Sequence, residues 1–120
     1  MFAPVLLLAI ASSLQTDLPE TSRGSALYDE CRDAIRIREE PSSTTPLEAI
    51  GSAACVNYLS GFVDGLSDKT VCLGTYNEGT LARVYVVFMD KHPKYLDQHK
   101  AQGLLLALRD AYPCPAKRSQ

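Results

Sequence analysis

The sequence of 120 residues carries 12 basic and 14 acidic side chains, for a formal net charge of −2. This length suits one domain with a single hydrophobic core. A slightly acidic chain lacks the basic surface that general nucleic-acid binding needs, so we expect no nucleic-acid partner. The charge is uneven, because acidic groups outnumber basic ones in residues 12–50 and the reverse holds in residues 51–120.

An uncharged apolar segment opens the chain at residues 2–11 and ends in a small-x-small pattern that suits signal peptidase. It is too short for a transmembrane helix, which needs about 20 apolar residues. No lysine or arginine precedes it, and a buried N-terminal helix is the alternative. We predict a signal peptide at residues 1–11, a flexible leader at 12–24, export, and no membrane attachment after cleavage.

The first two helices are predicted from apolar residues at helical spacing. The first helix is predicted at residues 26–39, where Leu27, Cys31, Ala34 and Ile35 lie on one face, and Ser25 is the candidate N-cap. After a loop rich in proline, serine and threonine, a second helix is predicted at 47–67. Gly61 and Gly65 within it cost about 1 kcal/mol each relative to alanine, so we expect them to admit a neighbouring helix.

The third helix is less clearly marked. Residues 81–89, in a segment that runs to about Lys91, contain many β-branched and aromatic side chains, which are typical of a strand. Their apolar positions also fit helical spacing, and no hairpin partner exists, so we predict a helix with Asn77 or Thr80 as its N-cap. A fourth helix is predicted at about residues 98–111, and Asp97 is the candidate residue that starts it. Together these elements predict an all-α bundle of four main helices.

Four cysteines, Cys31, Cys55, Cys72 and Cys114, constrain this bundle. Their spacing matches neither zinc ligands nor a C-x-x-C redox site, and we expect no metal and no cofactor. Two intramolecular disulfides are the interpretation that fits an exported chain, and three pairings are open. We favour Cys31–Cys55 and Cys72–Cys114, because each pair joins neighbouring elements of the helical arrangement.

Short motifs recur around these cysteines in a characteristic order. They are Leu27-Tyr28-Asp29-Glu30-Cys31, the stretch at 54–65, Val71-Cys72-Leu73, Thr80-Leu81, His92-Pro93 and the stretch at 107–114. The ordered set, which covers about residues 25–114, resembles the Rap/Tai family of immunity proteins associated with type VI secretion.

The resemblance implies a helical, disulfide-bonded periplasmic protein, with its domain at residues 25–114. The polar composition of residues 115–120 predicts a flexible tail. The resemblance also implies that the chain binds a cognate effector, typically a peptidoglycan amidase, and blocks its active site. Members of the family commonly form homodimers. The resemblance carries over no inhibitory residue, because no contact motif matches.

Residues suited to catalysis are sparse. His92 and His99 are expected on the surface, and the carboxylates of Asp64 and Asp68 are more simply a helix-end cluster than an acid–base pair. All four cysteines are expected to be oxidised, which leaves no thiolate nucleophile. We therefore predict that the protein is not an enzyme.

A binding function needs a rigid scaffold and an exposed element. The loop at 70–79, with Tyr76 and Asn77, and the turn at 91–100, with Tyr95, are the candidate partner-binding segments. The alternative is that both tyrosines pack onto the core. A small periplasmic stress chaperone and an accessory envelope domain would use the same kind of chain and are the alternative functions.

Overall fold

The computed structural model describes residues 17–116, which form four α-helices joined by turns and one longer loop. The helices are α1 (Gly24–Glu39), α2 (Pro46–Asp64), α3 (Glu78–Lys91) and α4 (Lys100–Ala111), and the 3-10 turns are Glu20–Ser22, Pro41–Ser43 and Pro93–Asp97. The predicted all-α fold is confirmed. Among the helices of this part of the chain, none is long and apolar enough to cross a membrane. The predicted signal peptide lies outside the described residues, as does most of the predicted tail.

α1 is the central element of the bundle, because it packs against each of the other helices and most extensively along α2. Each helix contributes side chains to the interior. The largest fully buried ones are Leu27 and Cys31 in α1, Cys55 and Leu59 in α2, Leu81, Tyr85 and Met89 in α3, and Leu104 and Leu108 in α4. Burial of one such leucine stabilises the fold by roughly 1.5–3 kcal/mol, so this interior supplies the main driving force for folding.

α3 is helical despite its strand-like composition. Leu81, Ala82 and Tyr85 are all fully buried. A strand would turn the first two to opposite faces, whereas a helix brings all three to one side. The Asn77 side chain accepts a hydrogen bond from the Thr80 backbone N–H at 2.9 Å, so Asn77 is the N-cap of the two predicted candidates. Burial of one helical face therefore outweighs β propensity here.

α1 begins earlier than the sequence predicted. Its first residue is Gly24, so Ser25 lies inside the helix and the predicted N-cap is wrong. The Gly24 N–H donates to the Gln98 carbonyl at 2.8 Å, and the buried Tyr85 hydroxyl donates to the Gly24 carbonyl at 2.9 Å. These bonds from distant parts of the chain fix the start of the helix. The last residues of the predicted leader at 12–24 are therefore structured, since they form the 3-10 turn Glu20–Ser22 and the first residue of α1.

The ends of two other helices also differ from the prediction. α4 is capped by His99, whose Nδ1 accepts from the Ala101 N–H at 3.1 Å, whereas Asp97 lies in the preceding 3-10 turn. α2 ends at Asp64, before its predicted end, because the Gly65 N–H closes a tighter turn onto the carbonyl three residues back. Local hydrogen bonds, rather than hydrophobic spacing, decide both boundaries.

The close helix approaches occur at other glycines than expected. A Cβ at Gly61 would meet no atom of the described residues within 4 Å, and one at Gly65 would meet only carbonyl oxygens of α2 itself. The prediction that these two glycines admit a neighbouring helix is therefore wrong for the described residues. Gly24 and Gly103 have this function, since a Cβ at either position would lie 2.9 Å from the Met89 side chain.

Both disulfides pair as predicted. Cys31–Cys55 joins α1 to α2, and both residues are fully buried in the core. Cys72–Cys114 joins the loop after α2 to the chain segment that follows α4. One bond therefore fixes the central helix pair, and the other fixes the longest loop.

Replacing Cys31 and Cys55 together by alanine is expected to cost more stability than replacing Cys72 and Cys114. The chain-entropy model gives about 3.5 and 4 kcal/mol for the two closed loops, which alone would favour the opposite order. Removing the buried pair also leaves a cavity in the core, and this adds to its cost. Urea unfolding of the two double variants measures the difference, and a larger loss for the Cys72 and Cys114 variant would contradict the prediction.

Candidate partner-binding site

The loop at residues 65–77, here called the tethered loop, connects α2 to α3 and is fixed at several points. The Cys72–Cys114 disulfide holds its middle, and the Cys72 N–H donates to the Tyr112 carbonyl at 3.0 Å. Val71 is only 4% exposed and anchors the loop on the core. Gly74 adopts a φ of 61°, a left-handed conformation that glycine accepts without strain. The loop is therefore held as a fixed surface feature.

Tyr76 lies on the exposed side of the tethered loop. Its side chain is 38% exposed, and it borders a groove of about 350 Å³ together with Val63, Leu66 and Leu73. The groove thus combines apolar side chains from the end of α2 and from the loop. A partly exposed tyrosine beside an apolar groove offers both contact area and a hydroxyl group to a partner.

Asn77 is adjacent to Tyr76, but the side-chain carbonyl of Asn77 already has a structural role as the cap of α3. The side-chain Oδ1 accepts from the N–H of Thr80 at 2.9 Å and from its hydroxyl at 3.2 Å. A partner would therefore meet the side-chain NH₂ group rather than the carbonyl.

Tyr95, the third predicted residue, lies elsewhere and packs onto the bundle. Its ring centroid is 6.0 Å from that of Phe88, and the Lys94 ammonium lies 5.1 Å from the ring centroid. The side chain is half-buried against the core. The turn that carries it follows the C-terminus of α3, whereas the tethered loop precedes the N-terminus, about 20 Å away along the 14-residue helix. The structure therefore brings Tyr76 and Asn77 together and separates them from Tyr95.

A polar cleft between α1 and α3 was not predicted from the sequence. It has a volume of about 470 Å³ and is lined by Asp29, Arg32, Asp33, Ile35, Arg36, Glu39 and Val86. Two of the charged side chains in the cleft form salt bridges with residues outside it. Glu39 pairs with Arg83 of α3 at 3.3 Å, and Arg36 pairs with Glu48 of α2. The cleft depends on residues far apart in the chain, and no sequence motif marks it.

A short hydrogen bond closes one end of the same helix pair. The Tyr28 hydroxyl donates to the Asp90 carboxylate at 2.5 Å, and the Arg32 guanidinium lies 5.7 Å from the Tyr28 ring centroid. The hydrogen bond to Asp90 is the main reason that the pKa of Tyr28 is raised, and burial adds to it. This contact links α1 to α3 and has no sign of a catalytic role.

A second group of titratable side chains lies where α1, α2 and α4 meet. Burial raises the pKa of the Glu30 carboxyl above its ordinary value, and the nearby Lys100 opposes this effect. The Lys100 ammonium also lies 4.3 Å from the ring centroid of Tyr58, whose pKa burial raises. The ionised Glu30 carboxylate is therefore less favourable in the folded chain than in the unfolded one.

Glu30→Gln is expected to raise the melting temperature at pH 7. An acid with a raised folded pKa destabilises the fold while it is ionised, so this cost disappears as the pH falls through that pKa towards 4.5. The gain from the variant should therefore be small at about pH 4, where the wild-type carboxyl is largely protonated. In a Lys100→Met background the gain at pH 7 should increase, because the opposing cation is gone. Thermal melts at both pH values test this, and an equal gain at both would contradict it.

The histidines and the acidic pair take structural positions. The exposed His92 packs against Phe88 at the end of α3, with a centroid distance of 4.4 Å and the rings tilted by 37°, and His99 caps α4. Asp64 is the last residue of α2, while Asp68 lies in the tethered loop, so the two carboxylates do not share a helical face. This arrangement agrees with a helix-end cluster rather than an acid–base pair.

The four-helix bundle with two disulfides and an anchored, exposed loop defines a small scaffold suited to protein binding. A family model described as Rap1a immunity proteins matches residues 23–114 of the sequence. The chain belongs to this family, and the resemblance seen in its motifs is confirmed. No curated protein and no solved structure gave a significant match. The family consists of non-catalytic inhibitors, so this protein is not an enzyme, and membership implies that it inhibits a cognate type VI secretion effector.

Proposed function

We propose that this protein protects the cell wall by inhibiting a peptidoglycan amidase in the periplasm. Membership of the immunity family supports the inhibition of an effector. The observation that carries the proposal is the tethered loop, which presents Tyr76 next to an apolar groove and is fixed by Cys72–Cys114. Such an element can enter the substrate cleft of an enzyme without being itself a substrate.

The rigidity of the tethered loop favours tight binding. Association costs free energy for each side chain and loop segment that becomes ordered, and a loop that is already fixed avoids much of this cost. An aromatic side chain at the centre of an interface often supplies a large share of the affinity. In this proposal Tyr76 fills part of the effector's cleft, and the NH₂ group of Asn77 donates to a polar group at its rim. The amidase is blocked because substrate and loop compete for one space.

The proposed compartment follows from the covalent chemistry of the chain. Both disulfides are consistent with an oxidising environment such as the periplasm. We propose that residues 1–11 are a signal peptide and that residues 25–114 are the inhibitory domain. We also propose that the protein forms a homodimer, as the motif resemblance implies.

The neighbouring gene product provides the direct test. The purified protein is titrated with it in a calorimeter, and hydrolysis of purified peptidoglycan is followed with and without the protein. We expect tight binding, loss of hydrolysis, and amidase products in the uninhibited digest. Products of glycan-strand cleavage would contradict the amidase assignment but leave the inhibitor function. Absence of both binding and protection would contradict the inhibitor function for this pair.

Tyr76→Ala is expected to weaken effector binding at least tenfold, because it removes the proposed anchor. Truncation of such an anchor typically costs about 2 kcal/mol or more in binding. The melting temperature should change little, since Tyr76 is exposed. Tyr95→Ala is the matched control, because its ring packs on Phe88: it should lower the melting temperature and leave the affinity of the folded protein within about twofold. Equal affinities for Tyr76→Ala and wild type would contradict the assignment of the loop.

A further inference from the structure

The two disulfides differ in their access to solvent. Cys31 and Cys55 are both 0% exposed and lie in the core, whereas Cys72 is exposed and Cys114 is half-buried at the surface. A thiolate opens a disulfide by attacking one of its sulfur atoms, so the rate depends on access to that atom. A reductant in solution can therefore reach the surface bond in the folded protein, while the core bond becomes accessible only when the bundle opens.

Apart from the disulfide, few contacts hold the exposed part of the tethered loop. Of the loop's residues, all of which the structure describes, Val71 alone is buried, and Leu66 and Leu73 are half-buried. The next fixed point towards α3 is Asn77, whose side chain caps that helix. Residues 72–76 thus lie between two anchors that keep their positions whether or not the disulfide is closed.

The disulfide is the covalent restraint on residues 72–76. The hydrogen bond from the Cys72 N–H to the Tyr112 carbonyl lies directly beside it and depends on the same close approach of the two chain segments. Gly74, with its φ of 61°, has no Cβ and has access to more backbone conformations than other residues once the restraint is removed. Tyr76 belongs to the same segment. Opening the bond therefore releases the part of the loop proposed to contact the effector.

The helical bundle does not depend on this bond. The largest fully buried side chains all belong to the four helices, and none belongs to the tethered loop. Cys31–Cys55 continues to join α1 to α2 when the surface bond is open. Parts of a protein with few buried contacts open more easily than its core, so the loop can be released while the helices stay packed.

The backbone around the bond also suits the reduced state. The Asp68 carbonyl oxygen lies 3.2 Å from the Sγ atom of Cys72 and 3.3 Å from that of Cys114. In the disulfide neither sulfur carries a hydrogen, so these are contacts rather than hydrogen bonds. A thiol is a weak donor, and after reduction the same carbonyl can accept a hydrogen bond from either S–H group. The reduced cysteines therefore have a hydrogen-bond acceptor already in place.

We propose that Cys72–Cys114 is a thiol–disulfide exchange site, which a dithiol opens in the folded protein to release residues 72–76 while the bundle stays intact. Its consequence for inhibition rests on the proposed function, in which the tethered loop must be fixed to bind the effector tightly. A released loop has to become ordered again on binding, and this lowers the affinity. The oxidised protein is then the strong inhibitor and the selectively reduced protein the weak one.

The reaction is an exchange between the dithiol and the surface bond. One thiolate of the dithiol attacks the exposed Cys72 Sγ, the bond to Cys114 breaks, and the Cys114 sulfur leaves with the electron pair and takes up a proton. The second thiolate then attacks the reagent's own sulfur in the mixed disulfide and releases Cys72, which is also protonated. Two electrons and two protons pass to the protein, and the dithiol becomes a disulfide.

The first test measures which bond is reduced. The full chain, with both disulfides intact, is treated at neutral pH without denaturant with dithiothreitol or with reduced thioredoxin. Free thiols are alkylated at successive times and located by peptide mass mapping. We expect Cys72 and Cys114 to be labelled at least about tenfold faster than Cys31 and Cys55, because only the surface pair is accessible. Equal rates, or earlier labelling of the core pair, would overturn the proposal. Opening by thioredoxin assigns the site to protein dithiols, and opening by dithiothreitol alone assigns it to small ones.

The second test measures release of the loop by hydrogen exchange of the backbone amides. After selective reduction, residues 72–76 should exchange at least about tenfold faster, with no change in the interior of α1 and α2. The double variant Cys72→Ser with Cys114→Ser is the matched control, since it should exchange fast without reductant and respond no further to it. An unchanged loop, or loss of the helical circular dichroism signal when the wild type is selectively reduced, would contradict the proposal.

Binding of the neighbouring gene product separates this switch from the proposed function. The oxidised protein should bind at least about tenfold more tightly than the selectively reduced one, and reoxidation should restore the affinity. The reductant is removed before mixing, and the double variant, which needs none, provides a second measurement. Equal affinities with a released loop would overturn control of inhibition by the switch and leave the inhibitor function intact. If neither form binds, the proposed function fails for this pair, and the labelling and exchange results still decide the exchange site.

Discussion

The buried covalent bond between Cys31 and Cys55 holds the two longest helices together, and the other elements depend on that pair. α1 can act as the central helix because α2 cannot move away from it. α3 and α4 then complete the core around α1, and the two glycines beside Met89 allow α4 and the start of α1 to approach α3 closely. A domain of this size buries a limited apolar surface, so a disulfide inside the core contributes a large share of its net stability.

The second disulfide, Cys72–Cys114, lies at the surface and fixes the tethered loop rather than the core. In the proposed function, stability and recognition therefore belong to different parts of one small chain. A protein without catalytic chemistry needs little more than a stable bundle and a rigid element that a partner can bind. The polar cleft between α1 and α3 fits the same account, since several of its charges pair within the chain and link the two helices.

Much of the fold could be predicted because the relevant signals are local. Apolar spacing predicted the four helices, and Asn77 was one of two candidate caps for α3. The favoured disulfide pairing followed from which elements are neighbours in the predicted helical arrangement. The start of α1 could not be predicted, because it depends on a hydrogen bond from Gly24 to Gln98, far along the chain. The different surroundings of Tyr76 and Tyr95 were equally hidden, since composition cannot say which loop tyrosine packs on the core. The sequence also cannot show that the space beside Gly61 is empty of described residues, whereas Gly24 and Gly103 lie against Met89.

The position of Cys72–Cys114 has a consequence for when the protein becomes functional. Cys114 follows α4, so the disulfide cannot hold the tethered loop until α4 has been synthesised and the thiols of Cys72 and Cys114 have met an oxidant. Before that moment the bundle can already gather around Leu27 and Leu59, yet the element proposed to recognise the effector is still unfastened. The timing of oxidation therefore separates a folded chain from a competent inhibitor, and it links protection to the same oxidising space in which the protein is proposed to work.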